Sequence, residues 1–224
     1  MVETKSAPLA QRAAAEFLGT GALVCVVVGS GIMGARLSSD LGVVLLANTW
    51  ATVCALFVLI TLFMTISGAH FNPVVTAVGL FERTLGWRVG LSYVAAQVAG
   101  GLTGAMTANA MFELHLTGTS ATDRQSGAIL FSEVVATFGL LFVITLLVRT
   151  SRQSMIPACV ALYIGAAYFF TSSTSFANPA VTIGRSITDS FSGINPGDTP
   201  MFIGMQFLGG ALGYLCARLI ASAP

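Results

Sequence analysis

The chain consists of long apolar segments separated by short clusters of charged residues. Each apolar segment predicts one spanning helix, because crossing a membrane takes roughly 20 mostly apolar residues. We expect the fourth helix to begin before its segment, near Ser126, and to carry Glu133 into the membrane. The segments without Asp, Glu, Lys or Arg are residues 17–35, 41–81, 89–112, 134–148, 153–184 and 199–217.

Two of these segments are too long for a single helix. Residues 41–81 and 153–184 each contain one span and a remainder, and each remainder holds an Asn-Pro pair, Asn72-Pro73 and Asn178-Pro179. Apolar pieces of about 10 to 14 residues are more often re-entrant than spanning. The pattern predicts an all-α membrane protein with six transmembrane helices and two re-entrant half-helices, forming one channel domain over residues 1–224.

Composition excludes several other classes of protein. Charged residues make up 8% of the 224 residues and hydrophobic residues 55%, whereas soluble domains contain roughly 25% charged residues. The net charge of +1 and the lack of a basic block argue against nucleic-acid binding. No metal-ligand spacing or nucleophile motif occurs in the sequence, so we predict no enzyme activity, no metal and no cofactor.

Lysine and arginine positions predict the orientation, since cytoplasmic loops carry an excess of these residues. With both termini on one side, seven of the ten cationic residues fall on that side, which predicts cytoplasmic termini. The seven are Lys5, Arg12, Arg83, Arg88, Arg149, Arg152 and Arg218, and the other three are Arg36, Arg124 and Arg185.

Three short motifs occur twice, in the same order. They begin at Glu16 and Glu133, at Asn72 and Asn178, and at Gln97 and Gln206. Each half, about residues 10–110 and 127–220, contains three spans, so the halves are inverted relative to one another. Such an inverted repeat places a site near the middle of the membrane.

The Asn-Pro pairs predict how that site is built. Asn is a favoured N-cap and Pro a favoured first helical residue, so half-helices are expected at about 73–81 and 179–190. Their tips meet at mid-membrane, where the asparagine amides offer hydrogen-bond donors to a passing oxygen. Two facing positive dipole ends disfavour cations, so water and small uncharged solutes suit the path.

Two carboxyl groups, Glu16 and Glu133, are predicted inside the spans. A proton relay is one reading of a carboxyl group in a membrane. The other is support of the buried backbone of the re-entrant loops, which the symmetric placement favours. His70, beside Phe71-Asn72, is expected to support its loop as well.

The sequence resembles the aquaporin and aquaglyceroporin family, the major intrinsic proteins, from about Ala14 to Leu219. Residues 67–73, Ser-Gly-Ala-His-Phe-Asn-Pro, and Asn178-Pro179-Ala180 are similar to its two signature motifs, although Val74 replaces the usual alanine. The resemblance implies the fold predicted above, a loop-supporting role for both glutamates, a homotetramer in the lipid bilayer and passive permeation without a cofactor.

The resemblance also implies a four-residue selectivity filter, which corresponds here to Thr52, Ala166, Ser175 and Val181. Family members usually have an arginine at the position of Val181, so we expect a wide, arginine-free filter. The chain is similar to a bacterial subgroup that lacks this arginine and is associated in part with arsenical resistance, which implies a bacterial inner-membrane location.

Arg185 lies one helical turn beyond Val181. We expect it to line the outer mouth of the pore and to replace part of the missing barrier to cations. The alternative is an interfacial arginine that pairs with Asp189.

The predicted function is a passive channel for water and small uncharged solutes of glycerol or urea size, with metalloid hydroxides such as arsenite among the candidate permeants. A water-selective channel and a proton-coupled secondary transporter are the alternatives.

Overall fold

The computed structural model describes residues 7–221, and within them every regular element is a helix. Six long α-helices and two short ones make up the fold. A short 3-10 helix at Gln153–Met155 comes directly before the sixth α-helix. The α-helices are α1 Leu9–Leu37, α2 Leu41–Phe63, α3 Pro73–Phe81, α4 Trp87–Met111, α5 Gly127–Arg149, α6 Ile156–Phe170, α7 Pro179–Arg185 and α8 Thr199–Ile220.

The six long helices correspond to the six predicted spans. Five of them are long and apolar enough to cross a membrane, as judged over the described residues. The remaining long helix, α4, has 25 residues but is less apolar, because it contains Gln97, Asn109 and several glycines. The prediction of six transmembrane helices with two re-entrant half-helices is confirmed in its architecture.

Side-chain caps set the beginnings of four of these elements, and Asp40 caps the first of them, α2. Ser126 caps α5, so this helix begins where the sequence predicted and carries Glu133 into the core. Asn72 and Asn178 cap α3 and α7, with Pro73 and Pro179 as the first helical residues. An N-cap side chain pairs with backbone N–H groups that have no partner within the helix.

The predicted end of the second half-helix, at residue 190, is wrong. Helix α7 stops at Arg185, and the following backbone pairs with the loop between α4 and α5 instead of continuing the helix. Gly118 N donates to the Ile187 carbonyl at 2.8 Å, and Asn195 N donates to the Thr122 carbonyl at 2.8 Å. These tertiary bonds end the helix.

Glycines bring the long helices together in two equivalent pairs, α1 with α4 and α5 with α8. A Cβ atom on Gly100 or Gly104 would lie against backbone carbonyl oxygens of α1, and one on Gly209 or Gly213 against those of α5. Small residues allow such close approach of helix backbones in membranes. Each pair can therefore hold a half-helix firmly against it.

The N-terminal part of α1 lies at the same end of the bundle as the C-terminal ends of α5 and α8. Arg149 Nε donates to the carbonyl of Ala221, and Tyr214 hydroxyl donates to Glu82 at 3.0 Å, so the ends of α3, α5 and α8 meet there. This is the end at which the sequence predicts the cationic excess. Lys5, one of the seven residues counted, lies outside the described residues.

The glycine packing predicts a large difference between two matched substitutions. G104A adds a methyl group that meets the Gly21 carbonyl oxygen, and overpacking of this kind costs about 1–3 kcal/mol. G204A, on an open face of α8, adds a methyl group with no neighbour within 4 Å and should leave stability unchanged or slightly higher. Thermal unfolding in detergent measures both, and equal midpoints would contradict the packing argument.

Candidate functional site

The tips of the two half-helices are joined by their capping asparagines. Each side-chain oxygen accepts from the first turn of its own helix, and each amide nitrogen donates across to the opposite loop. Asn72 Nδ2 lies 2.8 Å from the Ala177 carbonyl oxygen, and Asn178 Nδ2 lies 2.7 Å from that of Phe71. One hydrogen on each amide remains for a third partner.

The loops leading to these tips have an unusual backbone. Ala69 and Phe71 have φ of 51° and 49°, and the corresponding residues of the second loop, Ser175 and Ala177, have φ of 50° and 48°. Residues other than glycine rarely adopt such values. Non-helical backbone at membrane depth is tolerated only where protein buries it or where it lines a watery cavity.

Glu16 satisfies the N–H groups of the first loop. Its carboxylate accepts from the backbone N–H of His70 at 2.9 Å and of Phe71 at 2.6 Å. The Ser67 hydroxyl donates to it at 2.6 Å and Gln97 Nε2 at 2.8 Å. Four donors therefore satisfy both oxygens of this fully buried side chain.

Glu133 does the same for the second loop. It accepts from the backbone N–H of Phe176 and of Ala177, both at 2.9 Å, and from Gln206 Nε2 at 2.7 Å. Gln206 also donates to Thr182 in α7 at 2.8 Å. The carboxylate therefore ties the loop, the half-helix and α8 into one unit.

His70 belongs to the first of these units. Its Nδ1 lies 3.1 Å from the Thr76 hydroxyl of α3, and its ring packs edge-on against Tyr93. The side chain also borders the cavity described next, so it links the loop to the wall of that cavity.

A cavity of about 300 Å³ runs past both asparagines. Its walls are mostly apolar and come from stripes of residues spaced four apart, a spacing that keeps side chains on one helix face. The stripes are Thr52, Leu56 and Ile60 on α2 with Met64 directly after it, and Ile156, Val160, Ile164 and Tyr168 on α6; Leu23 and Val27 of α1 and Leu140, Ile144 and Val148 of α5 complete the wall.

Three of the four predicted filter residues, Thr52, Ser175 and Val181, border this cavity. The prediction for Ala166 is wrong, because that residue lies on the exposed face of α6 and away from the cavity. Tyr168, two positions further along the same helix, borders the cavity instead.

Arg185 borders the cavity beyond Val181 and is only 2% exposed. Its Nε donates to the Ser192 carbonyl, and its guanidinium carbon lies 3.3 Å from the centre of the Phe176 ring. Asp189, the alternative partner considered above, instead accepts from the backbone N–H of Ala121 at 3.2 Å. Arg185 is therefore part of the cavity wall.

A second arginine stabilises the loop around this end of the pore. Arg124, between α4 and α5, donates to the carbonyls of Gly193 at 3.0 Å and Ser173 at 3.3 Å, and its backbone N–H donates to Asp198. Burial lowers the pKa of the Arg124 guanidinium, and the negative charge of Glu133 partly opposes this. Arginine stays charged regardless, which adds positive potential near the mouth.

Comparison with known proteins identifies the family. A family model described as "Major intrinsic protein" matches residues 3–177 of the chain. The chain belongs to the major intrinsic protein family. Major intrinsic proteins are membrane channels, and the apolar cavity between two half-helix tips is the corresponding path in this one.

Individual relatives agree with this assignment. Aquaglyceroporin AqpS from Rhizobium meliloti (strain 1021) is 49% identical over 201 residues, which cover 90% of this chain and 86% of the relative. Probable aquaporin PIP2-8 from Oryza sativa subsp. japonica is 34% identical over 169 residues, covering 71% of this chain and 60% of the rice protein.

A solved structure shares the fold. The X-ray structure of the aquaglyceroporin from Plasmodium falciparum aligns over 95% of both chains with a TM-score of 0.67 and 20% sequence identity. Together with the relatives above, this makes the protein a multi-pass membrane channel for water and small uncharged solutes.

The contacts of Glu133 with the second loop predict that replacing this residue lowers the stability of the protein, whereas replacing an exposed glutamate does not. E133Q keeps the size of the side chain but turns an amide N–H group toward backbone N–H donors, so hydrogen bonds to a charged group worth about 1.5–3 kcal/mol are lost. We expect the free energy of unfolding in mixed micelles to fall by about that amount. E113Q, at an exposed loop position, is the control, and an equal stability of both variants would exclude the supporting role.

Proposed function

We propose that this channel has a wide outer constriction without the arginine that is usual in the family, and that it conducts water, glycerol, urea and uncharged metalloid hydroxides such as arsenite. The observation that carries the proposal is Val181. This residue borders the cavity three positions after Asn178, where the family resemblance predicts arginine.

The chemistry of the path favours small neutral solutes with hydrogen-bonding groups. At the centre, the amides of Asn72 and Asn178 offer donors next to two helix N-termini, which disfavour cations. Elsewhere the wall is mainly aliphatic. A valine instead of an arginine removes bulk, a fixed charge and several donors from the constriction, so solutes larger than water are admitted.

The proposal also includes inverted repeats, an orientation in the membrane and an oligomeric state. The paired motifs, the matched positive φ values and the equivalent carboxylate contacts support inverted repeats at about 10–110 and 127–220. The cationic excess at one end supports cytoplasmic termini in a bacterial inner membrane. By analogy with the family, we propose a homotetramer with one pore in each subunit.

The two alternatives fit the site less well. A water-selective channel is expected to have the bulk and charge of an arginine at the constriction, where this chain has Val181. A proton-coupled transporter needs a carboxyl group that can exchange its proton with the path. Both oxygens of Glu16 and both of Glu133 instead accept from loop N–H groups or glutamine amides.

Flux measurements in proteoliposomes test the proposal. We expect non-saturating swelling with water, glycerol, urea and arsenite, with low activation energy and no dependence on a pH gradient. V181R should retain water flux and lose most of the glycerol and arsenite flux, because it restores bulk and charge at the constriction. High water flux without glycerol or arsenite uptake by the wild type would favour the water-selective alternative, and drive by a pH gradient would favour the transporter.

Arg185 gives a separate prediction on ion exclusion. Since it contributes a fixed positive charge to the pore wall, R185A should raise the leak of protons and monovalent cations several-fold, while R185K, which retains the charge, should not. R36A is the matched control, because Arg36 donates to the Phe112 carbonyl away from the cavity. Liposomes with an internal pH dye measure the leak, and no change in R185A would remove Arg185 from the barrier.

A further inference from the structure

An open groove lies on the outside of the bundle, between α1 and the end of α4. Gly29 forms its floor, since a Cβ atom there would lie 3.4 Å from the Phe112 ring and 4.0 Å from Met111 Cε. Cys25 and Met33, one turn before and one turn after Gly29, border it on α1. The groove has a volume of about 300 Å³ and shares no lining residue with the pore cavity.

The groove offers little to a water molecule. Ser30, the hydroxyl-bearing residue on its border, donates to the Val26 carbonyl at 2.5 Å and accepts from Asn48 Nδ2 at 2.9 Å. The other side chains on its border are aliphatic, aromatic or sulfur-containing. A cavity holds water only where polar partners are available, and methionine side chains adapt to irregular apolar shapes. The groove therefore suits an apolar occupant.

The length of the groove matches one leaflet of a bilayer. Cys25 and Met33 are eight residues apart on α1, which corresponds to roughly 12 Å along a helix. The hydrocarbon core of a bilayer is about 30 Å thick, so each leaflet contributes about half of that. Because α1 crosses the membrane, the groove follows the direction of the acyl chains.

Arg36 marks the end of the groove at the membrane surface. It lies in the last turn of α1, beyond Met33, and is exposed. Its Nη2 donates to the Phe112 carbonyl at 2.6 Å, and its guanidinium carbon lies 5.0 Å from the centre of the Phe112 ring. These contacts hold the guanidinium against the wall of the groove, and its other N–H groups remain for a phosphate.

We propose that this groove binds an anionic phospholipid, with one acyl chain along Gly29 between Cys25 and Met33 and the phosphate on Arg36. An apolar groove of leaflet length that ends at an arginine complements both parts of such a lipid. The groove lies at the end of the bundle opposite the cationic excess, so the lipid belongs to the outer leaflet in the orientation proposed above. The site is separate from the conduction path.

Lipid titration of the detergent-purified protein, followed by native mass spectrometry, tests the charge. We expect one phosphatidylglycerol per chain to bind more tightly than phosphatidylcholine, which has the same phosphate and acyl chains but no net charge. R36Q should lower the phosphatidylglycerol affinity about five-fold, the equivalent of one cation near an anionic lipid, and remove the preference. R83Q, which alters an exposed arginine outside the groove, should keep the wild-type affinity.

Filling the groove tests the acyl-chain part of the site. C25F places an aromatic ring in the groove and should weaken the binding of both lipids. C54F, at an exposed position of α2 that does not border the groove, is the matched control. Thermal unfolding gives a second readout, because a ligand that binds only the folded state stabilises it. Phosphatidylglycerol should raise the midpoint of the wild type and of C54F more than that of R36Q or C25F.

Three results would overturn the inference. The first is equal binding of phosphatidylglycerol to the wild type, R36Q and C25F. The second is competition by glycerophosphate at the concentration of the lipid, which would indicate a phosphate site without an acyl-chain groove. The third is a changed oligomeric state of R36Q or C25F in size-exclusion chromatography with unchanged lipid binding, which would show that a second copy of the chain covers this face. Channel function is tested separately, by the flux measurements.

Discussion

Backbone that leaves the helical conformation inside a bilayer must find hydrogen-bond partners within the protein, because lipid offers none. In this channel Glu16 and Glu133 provide them for the two loops that lead to the half-helices. Without these carboxylates, the strained turns before Asn72 and Asn178 would carry unpaired N–H groups. The position of the pore centre, and with it the chemistry of permeation, depends on this pairing.

The glycine packing and the carboxylate contacts depend on each other. Gln97 on α4 reaches Glu16 on α1 only because glycines at the crossing bring the two helices together, and Gln206 on α8 reaches Glu133 in the same way. In the sequence the glycine cluster and the glutamine are separate features. In the structure they act together to hold the glutamate that supports the re-entrant loop. The cavity between the supports is lined mainly by apolar side chains, which offer no hydrogen bonds to a dehydrated ion.

The sequence suffices for the spans and for the starts of the half-helices, because charged residues bound the spans and the two Asn-Pro pairs inside apolar segments mark helix starts. It was insufficient where tertiary contacts decide. Helix α7 ends at Arg185 because the next residues pair with a distant loop. A count of residues back from Asn178 leads to Ala166, because such a count ignores which way α6 is rotated. The four-residue spacing from Ile156 to Tyr168 identifies the face of α6 that borders the cavity.

The crossed amides of Asn72 and Asn178 have a consequence for biosynthesis. Each amide completes the backbone of the other half, through the carbonyls of Ala177 and Phe71. While only the first half has been inserted, its re-entrant loop has no lid, no opposing tip and no finished path. Solutes can therefore cross only after both halves of the chain are in place, so the first half on its own does not open the membrane to them.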